Sequence, residues 1–123
     1  MSGLLPDTPI PEELRLLPHE RVLRVVYADD EVYDLPFEYL RVFSPSAEVR
    51  GHGAGQEVLQ VGKRNVLINS ADLVGQYAVR LVYSDGHDSG LYSWDYLYEL
   101  CEDLAENWQD YLARMDAAGA SRE

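Results

Sequence analysis

The sequence predicts an α+β domain in which a small antiparallel β-sheet, a hairpin plus further strands, packs against one long C-terminal helix. Two observations favour this class. Segments rich in β-branched and aromatic residues, separated by polar turns, occupy much of the chain before residue 84. A single apolar stripe with helical spacing then runs from about residue 93 to 117. Strands first and one dominant helix last are typical of a helix packed on an antiparallel sheet.

The first element predicted after the N-terminus is a β-hairpin. Residues 1–19 are rich in proline and lack periodicity, so we expect an extended arm there. Residues 21–27 and 32–35 have strand composition, and Asp29-Asp30 between them suits a tight turn.

A short helix is expected over residues 36–43, because proline suits the first position of a helix. Residues 44–56 then form the longest irregular stretch, which contains three alternating glycines. A loop of this length in a small domain is usually functional or mobile.

Two further strands precede the long helix. We expect one over residues 66–74, with an interruption near Ser70, and a second over 77–83, where apolar residues alternate. Ser93 suits the N-cap of the helix, and Gly119 would end it. We therefore divide the chain into the arm, a single domain over residues 20–117, and a flexible tail over 118–123.

The buried face of the long helix is predicted from residues that recur every three or four positions. They are Trp94, Leu97, Cys101, Leu104, Trp108, Tyr111 and Met115.

Charge and composition exclude several functions. The 123 residues carry a formal net charge of −12, whereas nucleic-acid backbones and anionic membranes require a basic surface. One cysteine, Cys101, rules out a disulfide within the chain and favours a reducing compartment. No apolar run has the length of a signal peptide or of a membrane span. We expect a cytoplasmic protein.

Gly51–Gly55 resembles a phosphate-binding loop. However, Gln56 and Glu57 stand where the two nucleotide-binding motifs need glycine, so we expect a loop without nucleotide binding.

The turn over residues 84–94 is a second glycine-rich segment. In it, His87 between Asp85 and Asp88 suits a metal ligand or a general base. We favour an ordinary turn, because Asp-Gly and Ser-Gly are turn sequences.

A serine hydrolase is a further alternative. Ser44, Ser46 or Ser89 with His87 and an aspartate could form a triad, but no nucleophile-elbow sequence is present. We give this alternative little weight, because any chain with a histidine offers such combinations.

The turn and its surroundings resemble one family, the γ-butyrobetaine-hydroxylase-like N-terminal domains. The resemblance spans residues 12–112 and rests on three segments. These are Asp85–Leu97 with its Gly-His-x-Ser-x-x-Tyr-x-Trp pattern, Tyr39–Arg41 and Ser44–Arg50.

The resemblance implies a small domain that, in relatives, precedes a 2-oxoglutarate and iron oxygenase domain or is fused to P-loop ATPases similar to iron–sulfur carriers. In the hydroxylases it resembles a structural zinc module with three cysteines and one histidine. Those positions fall on Ser44, Ser46, Val49 and His87. This chain keeps only the histidine. The resemblance therefore implies the fold, but the loss of the cysteines argues against a bound zinc ion. We expect no hydroxylase activity, because these 123 residues do not include the oxygenase domain of those relatives.

We therefore expect a protein-binding accessory domain and no enzyme, with iron–sulfur or metalloenzyme assembly as its context. The resemblance implies that the 44–56 loop and the turn meet, and we expect the partner there. The predicted contact residues are Arg41, Arg50, His52, Asp85, His87, Tyr92 and Tyr96.

Two alternatives stay open. The first is a zinc or iron module with ligands from His87, Asp85, Asp88 and His52. The second is a stand-alone structural domain of a separately encoded oxygenase. We expect no cofactor, no favoured metal, and a monomer or a weak homodimer formed through sheet edges.

Overall fold

The computed structural model describes residues 8–46, 49 and 58–123, and within them the strands form two separate antiparallel sheets. The first sheet contains β1 (Glu13–Leu17), β2 (Val22–Val26) and β3 (Val32–Pro36) in that order. The second contains β4 (Ile68–Val74), β5 (Ala78–Tyr83) and β6 (Leu91–Ser93) in that order. Helix α1 (Phe37–Val42) follows β3, and α2 (Trp94–Glu102) and α3 (Leu104–Ala117) follow β6. The α+β class is confirmed, with two small sheets rather than one.

The predicted hairpin is confirmed as β2 and β3. Asp29 and Asp30 both take the left-handed conformation, with φ of 63° and 60°. A two-residue turn with positive φ at both central positions matches the right-handed twist of the flanking strands. Aspartate tolerates this conformation better than most residues do, so the turn forms without glycine.

The segment predicted as an extended arm contributes strand β1. It pairs with β2 so that Leu14 lies opposite Val25, and the Glu12 N–H donates to the Val26 carbonyl at 2.7 Å. Leucine and charged residues have modest strand preference, so the five residues carry little local signal. The segment becomes a strand because β2 offers it an edge and because Leu14 and Leu16 pack against the core.

The second sheet follows the prediction except at its last strand. β4 pairs with β5, and its register shifts between Ile68 and Ser70, where the interruption was predicted. β6 was missed, because its three residues are too few for a periodic pattern. Its partner is β5, with Tyr92 opposite Val79.

The predicted long helix is interrupted at Asp103. The backbone there has φ of −101° and ψ of 17°, which ends α2 and begins α3. The Asp103 N–H still donates to the Glu99 carbonyl at 2.9 Å, so the break is one residue long. Aspartate favours helix ends, because its carboxylate can form hydrogen bonds with nearby backbone N–H groups in place of the helical ones.

One core joins both sheets to α2. Leu23, Leu35, Leu81 and Leu97 are among its fully buried residues. A smaller cluster forms where α1 meets α3 and contains Val42, Tyr111 and Met115. The apolar stripe of the C-terminal segment is therefore divided between the two clusters.

The segment predicted as a flexible tail bonds to the body. The N–H of Gly62 donates to the Ser121 carbonyl at 3.0 Å. The Arg122 guanidinium forms two hydrogen bonds, of 2.8 and 2.6 Å, with the buried Glu38 carboxylate, and lies 5.2 Å from the Trp108 ring centre. Across the described residues, the helices are too short or too polar to cross a lipid bilayer.

Candidate functional site

Two segments that are distant in the sequence meet at the site. Helix α1 ends at Val42 and is capped by Phe43, so Ser44 and Ser46 lie just after its C-terminal end. The second segment is the turn after β5, closed by a hydrogen bond from the Gly86 N–H to the Tyr83 carbonyl at 3.0 Å. Gly86 has φ of 91°, which side-chain-bearing residues rarely adopt, so glycine is required here. The turn places His87 against the end of α1.

A buried hydrogen-bonded cluster, the serine–histidine cluster, fills this junction. His87 Nε2 and Ser44 Oγ lie 2.8 Å apart, and the exposed fractions of the two residues are 5% and 1%. The Ser46 N–H donates to Ser44 Oγ at 3.3 Å. Ser46 Oγ shares a second hydrogen bond with Ser89 Oγ at 2.7 Å. The cluster therefore links α1 to the turn twice.

Gly90 allows the two segments to approach this closely. A Cβ atom at this position would lie 2.4 Å from Ser44 Oγ and 3.3 Å from Pro45 Cδ. The first distance is far inside van der Waals contact, so any larger residue would push Ser44 away from His87. Glycine at position 90 is thus a steric requirement of the serine–histidine cluster.

A partly buried ion cluster borders the serine–histidine cluster. Asp85 Oδ2 accepts hydrogen bonds from Arg41 Nε at 3.0 Å and from Lys63 Nζ at 2.8 Å. Asp85 Oδ1 accepts the His87 backbone N–H at 3.2 Å. Burial raises the pKa of the Asp85 carboxyl, but the bonds from Lys63, the His87 N–H and Arg41 outweigh it and lower the pKa to about 2. The Asp85 carboxylate is therefore held ionised and positions the turn.

A chain of hydroxyls lies beneath the cluster. Tyr92 is fully buried and donates its hydroxyl to the Leu40 carbonyl at 2.6 Å. The Tyr83 hydroxyl lies 2.6 Å from that of Tyr92 and is therefore the donor to it. Burial raises the pKa of both phenols, so both stay neutral.

The donor set does not fit the zinc ion that the resemblance implies. Neutral serine hydroxyls are poor zinc ligands, and Val49 offers no donor atom. Within the described residues, no three His, Cys, Asp or Glu side chains are grouped as a metal would require. His87 Nε2 already shares a hydrogen bond with Ser44. Hydrogen bonds between side chains thus engage three of the four positions to which the resemblance assigns zinc ligands, and the fourth is the apolar Val49.

The structure brings several predicted contact residues together but buries most of them. Arg41 and His87 are buried beside Asp85, and Tyr92 lies beneath them. Tyr96 is half-buried, stands 6.3 Å from Tyr92 between ring centres, and donates its hydroxyl to the Phe43 carbonyl at 2.5 Å. These side chains hold the surface in shape rather than projecting from it.

The remaining predicted residues lie elsewhere. Asp88 is exposed and sits 3.7 Å from Arg80, outside the serine–histidine cluster. Arg50 and His52, with the glycine-rich segment around them, lie outside the described residues. The predicted meeting of the 44–56 loop with the turn holds for its described residues, Ser44 and Ser46.

A cleft beside the serine–histidine cluster was not predicted. Its volume is about 430 Å³, and its walls come from the end of α1, the residues on either side of 50–57, and both C-terminal helices. The wall residues include Phe43, Val49, Val58, Tyr96, Tyr111 and Arg114. No single stretch of sequence contributes more than three neighbouring wall residues, so no local pattern indicates the cleft.

The polar groups at the cleft are engaged within the chain. The Tyr111 hydroxyl donates to the Gln60 carbonyl at 2.7 Å, and Arg114 pairs with Asp110 at 3.1 Å. The Arg114 guanidinium also lies 5.9 Å from the Phe43 ring centre. The cleft therefore offers shape and apolar contact rather than a reactive group.

The sequence pattern of one family matches most of the chain. This family, described as "Gamma-butyrobetaine hydroxylase-like, N-terminal", matches residues 14–98. That segment contains the serine–histidine cluster, the ion cluster and both sheets except for Glu13. In sequence comparison, no curated protein shows a match.

Several solved structures are similar to the chain, and three of them are as follows. Two are NMR solution structures, 50% and 49% identical, each with a TM-score of 0.82. They cover 94% and 98% of this chain, and 91% and 92% of their own chains. The third is a crystal structure of a DUF971-family protein of unknown function from Acidithiobacillus ferrooxidans. It is 38% identical, with a TM-score of 0.60, and covers 76% of this chain and 91% of its own.

Proposed function

The chain belongs to the γ-butyrobetaine hydroxylase-like N-terminal family, and from this premise we propose that it is a non-catalytic accessory domain that binds a protein partner. The observation that carries the proposal is the cleft of about 430 Å³ beside the serine–histidine cluster. Its polar side chains are engaged within the chain, and its walls include the apolar residues Val42, Val49 and Val58. Such a surface suits an inserted apolar side chain of a partner.

The geometry of the serine–histidine cluster supports a structural rather than a catalytic role. Ser44 and His87 have the contact of a nucleophile and its base, but both are buried, and the Ser44 hydroxyl also accepts the Ser46 backbone N–H. The Asp85 carboxylate is engaged by Arg41, Lys63 and the His87 backbone, and the Asp88 carboxylate lies beside Arg80. In catalytic triads, by contrast, the carboxylate orients the imidazole ring.

The class of partner follows from the family context. Related domains precede an oxygenase domain or accompany ATPases similar to iron–sulfur carriers, so we expect the partner among metalloenzymes or their assembly proteins. A separately encoded oxygenase is one such partner, and the chain would then serve as its structural domain. The basis for this class of partner is the set of domains fused to related domains in other proteins.

A metal-binding module has less support than protein binding. Two of the four ligands that the sequence suggested, Asp85 and His87, are engaged in hydrogen bonds, and Asp88 is exposed and pairs with Arg80. The fourth, His52, lies outside the described residues. A zinc or iron site built from these side chains would require both hydrogen-bonded clusters to rearrange.

The test uses two exposed valines. Val58 lines the cleft and has an exposed fraction of 53%, whereas Val32 lies on β3 away from it at 49%. Partners are captured with the wild-type protein from a lysate of the source organism, identified by mass spectrometry, purified and titrated. We expect Val58→Asp to weaken binding about tenfold or more. Val32→Asp should bind as the wild type does.

Three outcomes would overturn the proposal. One is equal binding by both variants and the wild type, and another is the absence of any partner that binds in purified form. Turnover of a substrate by the isolated chain would contradict the non-catalytic part. Both variants replace exposed side chains, so both should keep the wild-type melting temperature.

A further inference from the structure

The outer edge of β4, in the second sheet, has no strand paired with it among the described residues, although part of β4 lies near β1. β4 is an outer strand, and its register pairs it with β5 alone. Within the described chain, its backbone hydrogen bonds run to β5 and to the turn that joins the two strands. The outer edge of such a strand presents unpaired N–H and C=O groups, which can form hydrogen bonds with an added strand.

An apolar groove runs beside this edge. Its volume is about 590 Å³, and it lies between the residues that enter β1 and the end of β4. Its apolar walls are Ile10, Pro11, Leu14, Ala71, Leu73 and Trp94. Leu73 has an exposed fraction of 70%, which is high for a large apolar side chain on a strand. The Trp94 indole N–H donates to the Gln76 carbonyl at 2.9 Å, so its polar atom needs no ligand.

Two charged residues line the groove, and both are acidic. Glu12 and Glu13 line it at the β1 side, and no basic residue does. Glu13 pairs with Arg15 at 2.6 Å, while the Glu12 carboxylate has no ion pair or hydrogen bond in the described part of the chain. The chain as a whole carries a net charge of −12. A basic occupant matches this field, whereas a second copy of the chain is repelled by it.

We propose that β4 accepts an extended segment of a protein partner, which adds a strand to the second sheet. The segment alternates apolar residues, which enter the groove, with lysine or arginine, which lie on the opposite face of the added strand and are attracted by the net negative charge of the chain. Backbone hydrogen bonds along the open edge supply affinity, and the alternate side chains supply selectivity. This surface shares no residue with the cleft beside the serine–histidine cluster, so it is a second site that does not rest on the proposed function.

The probe is a seven-residue peptide matched to the length of β4, acetyl-Lys-Val-Lys-Ile-Lys-Val-Lys-amide. One control peptide replaces every lysine with glutamate, and another places proline at the centre. Binding is followed by NMR amide shifts of the isotope-labelled full chain. We expect shifts at residues 10–14 and 70–75. Binding of the glutamate peptide should be about tenfold or more weaker. The proline peptide should also bind about tenfold or more weakly, because proline lacks the N–H of a ladder bond.

Two matched variants locate the site. Leu73→Lys places a charge in the groove, and Leu91→Lys makes the same change on β6, the opposite edge of the same sheet, where Leu91 is 44% exposed. We expect a loss of about tenfold or more for Leu73→Lys and none for Leu91→Lys. Both variants replace exposed side chains, so we expect both to fold as the wild type does. Unchanged amide spectra away from the substitution verify this.

Each other result overturns the inference. Shifts confined to β6 or to the cleft, or equal losses in the two variants, would place the peptide elsewhere. Equal binding of the lysine and glutamate peptides would contradict the basic occupant. In the absence of peptide, NMR amide shifts at β4 that change with protein concentration would identify a second copy of the chain as the occupant.

Discussion

The imidazole Nε2 of His87 and the hydroxyl oxygen of Ser44 lie 2.8 Å apart, although 43 positions separate the two residues in the chain. This hydrogen bond joins the end of α1 to the turn after β5. Both groups are buried, so neither can turn to water without opening the junction. The bond therefore makes this site a structural junction between two segments that are distant in the sequence.

The first prediction concerns metal content. We expect tag-free wild-type protein to contain no stoichiometric zinc or iron, because Ser44, Ser46 and Val49 supply no thiolate. The triple variant Ser44→Cys/Ser46→Cys/Val49→Cys should bind about one zinc ion per chain with His87 as the fourth ligand. Metal content by mass spectrometry tests both expectations. His87→Ala in the triple background is the control and should lower the zinc affinity.

Roughly one metal ion per wild-type chain, lost in His87→Ala, would contradict this prediction. Such a result would show that His87 ligates the metal together with side chains other than those of Ser44, Ser46 and Val49.

The second prediction concerns Gly90. Its substitution by alanine should destabilise the protein by about 1–3 kcal/mol, because the new Cβ would lie 2.4 Å from Ser44 Oγ. In a Ser44→Ala background the same change should cost clearly less, since the clashing oxygen is absent. Chemical denaturation of the four proteins of this double-mutant cycle measures the coupling between the two sites. Additive effects would show that the strain comes from Pro45 or Tyr92 instead.

The third prediction concerns pH. The folded-state pKa of Asp85 is about 2, below its ordinary value of 3.8, so the unfolded chain binds this proton more readily. The stabilisation by Asp85 is therefore complete above about pH 4 and is lost as the pH falls from about 4 to about 2. At pH 7, Asp85→Asn should lower the free energy of unfolding by about 2 to 3 kcal/mol, because Arg41 loses its buried partner.

Urea denaturation at a series of pH values checks this prediction. The difference between the wild type and Asp85→Asn should shrink between about pH 4 and pH 2. Asp110→Asn serves as the control, because Asp110 is 67% exposed and pairs with Arg114 only at the surface. Its cost should stay below about 1 kcal/mol. A difference for Asp85→Asn that does not change with pH would contradict the ion cluster.

The fourth prediction compares two tyrosines. Tyr92→Phe removes the donor to the Leu40 carbonyl and the acceptor for Tyr83, and leaves both groups buried without this partner. We expect a loss of about 1–3 kcal/mol in the free energy of unfolding. Tyr77→Phe removes the same atom from a half-exposed ring and should change stability by less than about 0.5 kcal/mol. Thermal denaturation distinguishes the two, and equal losses would contradict the buried hydroxyl chain.

The parts of the fold with strong local signals were predicted correctly. The alternation over residues 77–83 indicated β5, and the polar pair Asp29-Asp30 between two β-rich segments indicated the hairpin. β1 and β6 were missed, because each depends on a neighbouring strand rather than on its own sequence. The docking of Arg122 on Glu38 likewise depends on residues 84 positions apart.

The site was predicted only in part. The resemblance indicated that Ser44 and His87 would meet, and the structure places them in contact. Tyr92 was expected at the surface, because a tyrosine beside a turn suits a binding surface as well as a core. Its burial is decided by the pairing of β6 with β5, which no nearby residue reveals. The cleft was missed because its walls come from separate segments.

The topology also determines how the chain folds. Each sheet is a meander, in which every strand pairs only with its neighbours in sequence, over residues 13–36 and 68–93. Such pairs have low contact order and form quickly, whereas the contact between Arg41 and Asp85 must first close a loop of 44 positions. We therefore expect the junction between the two meanders to form after the meanders themselves, and its amides to exchange with solvent before those of either sheet.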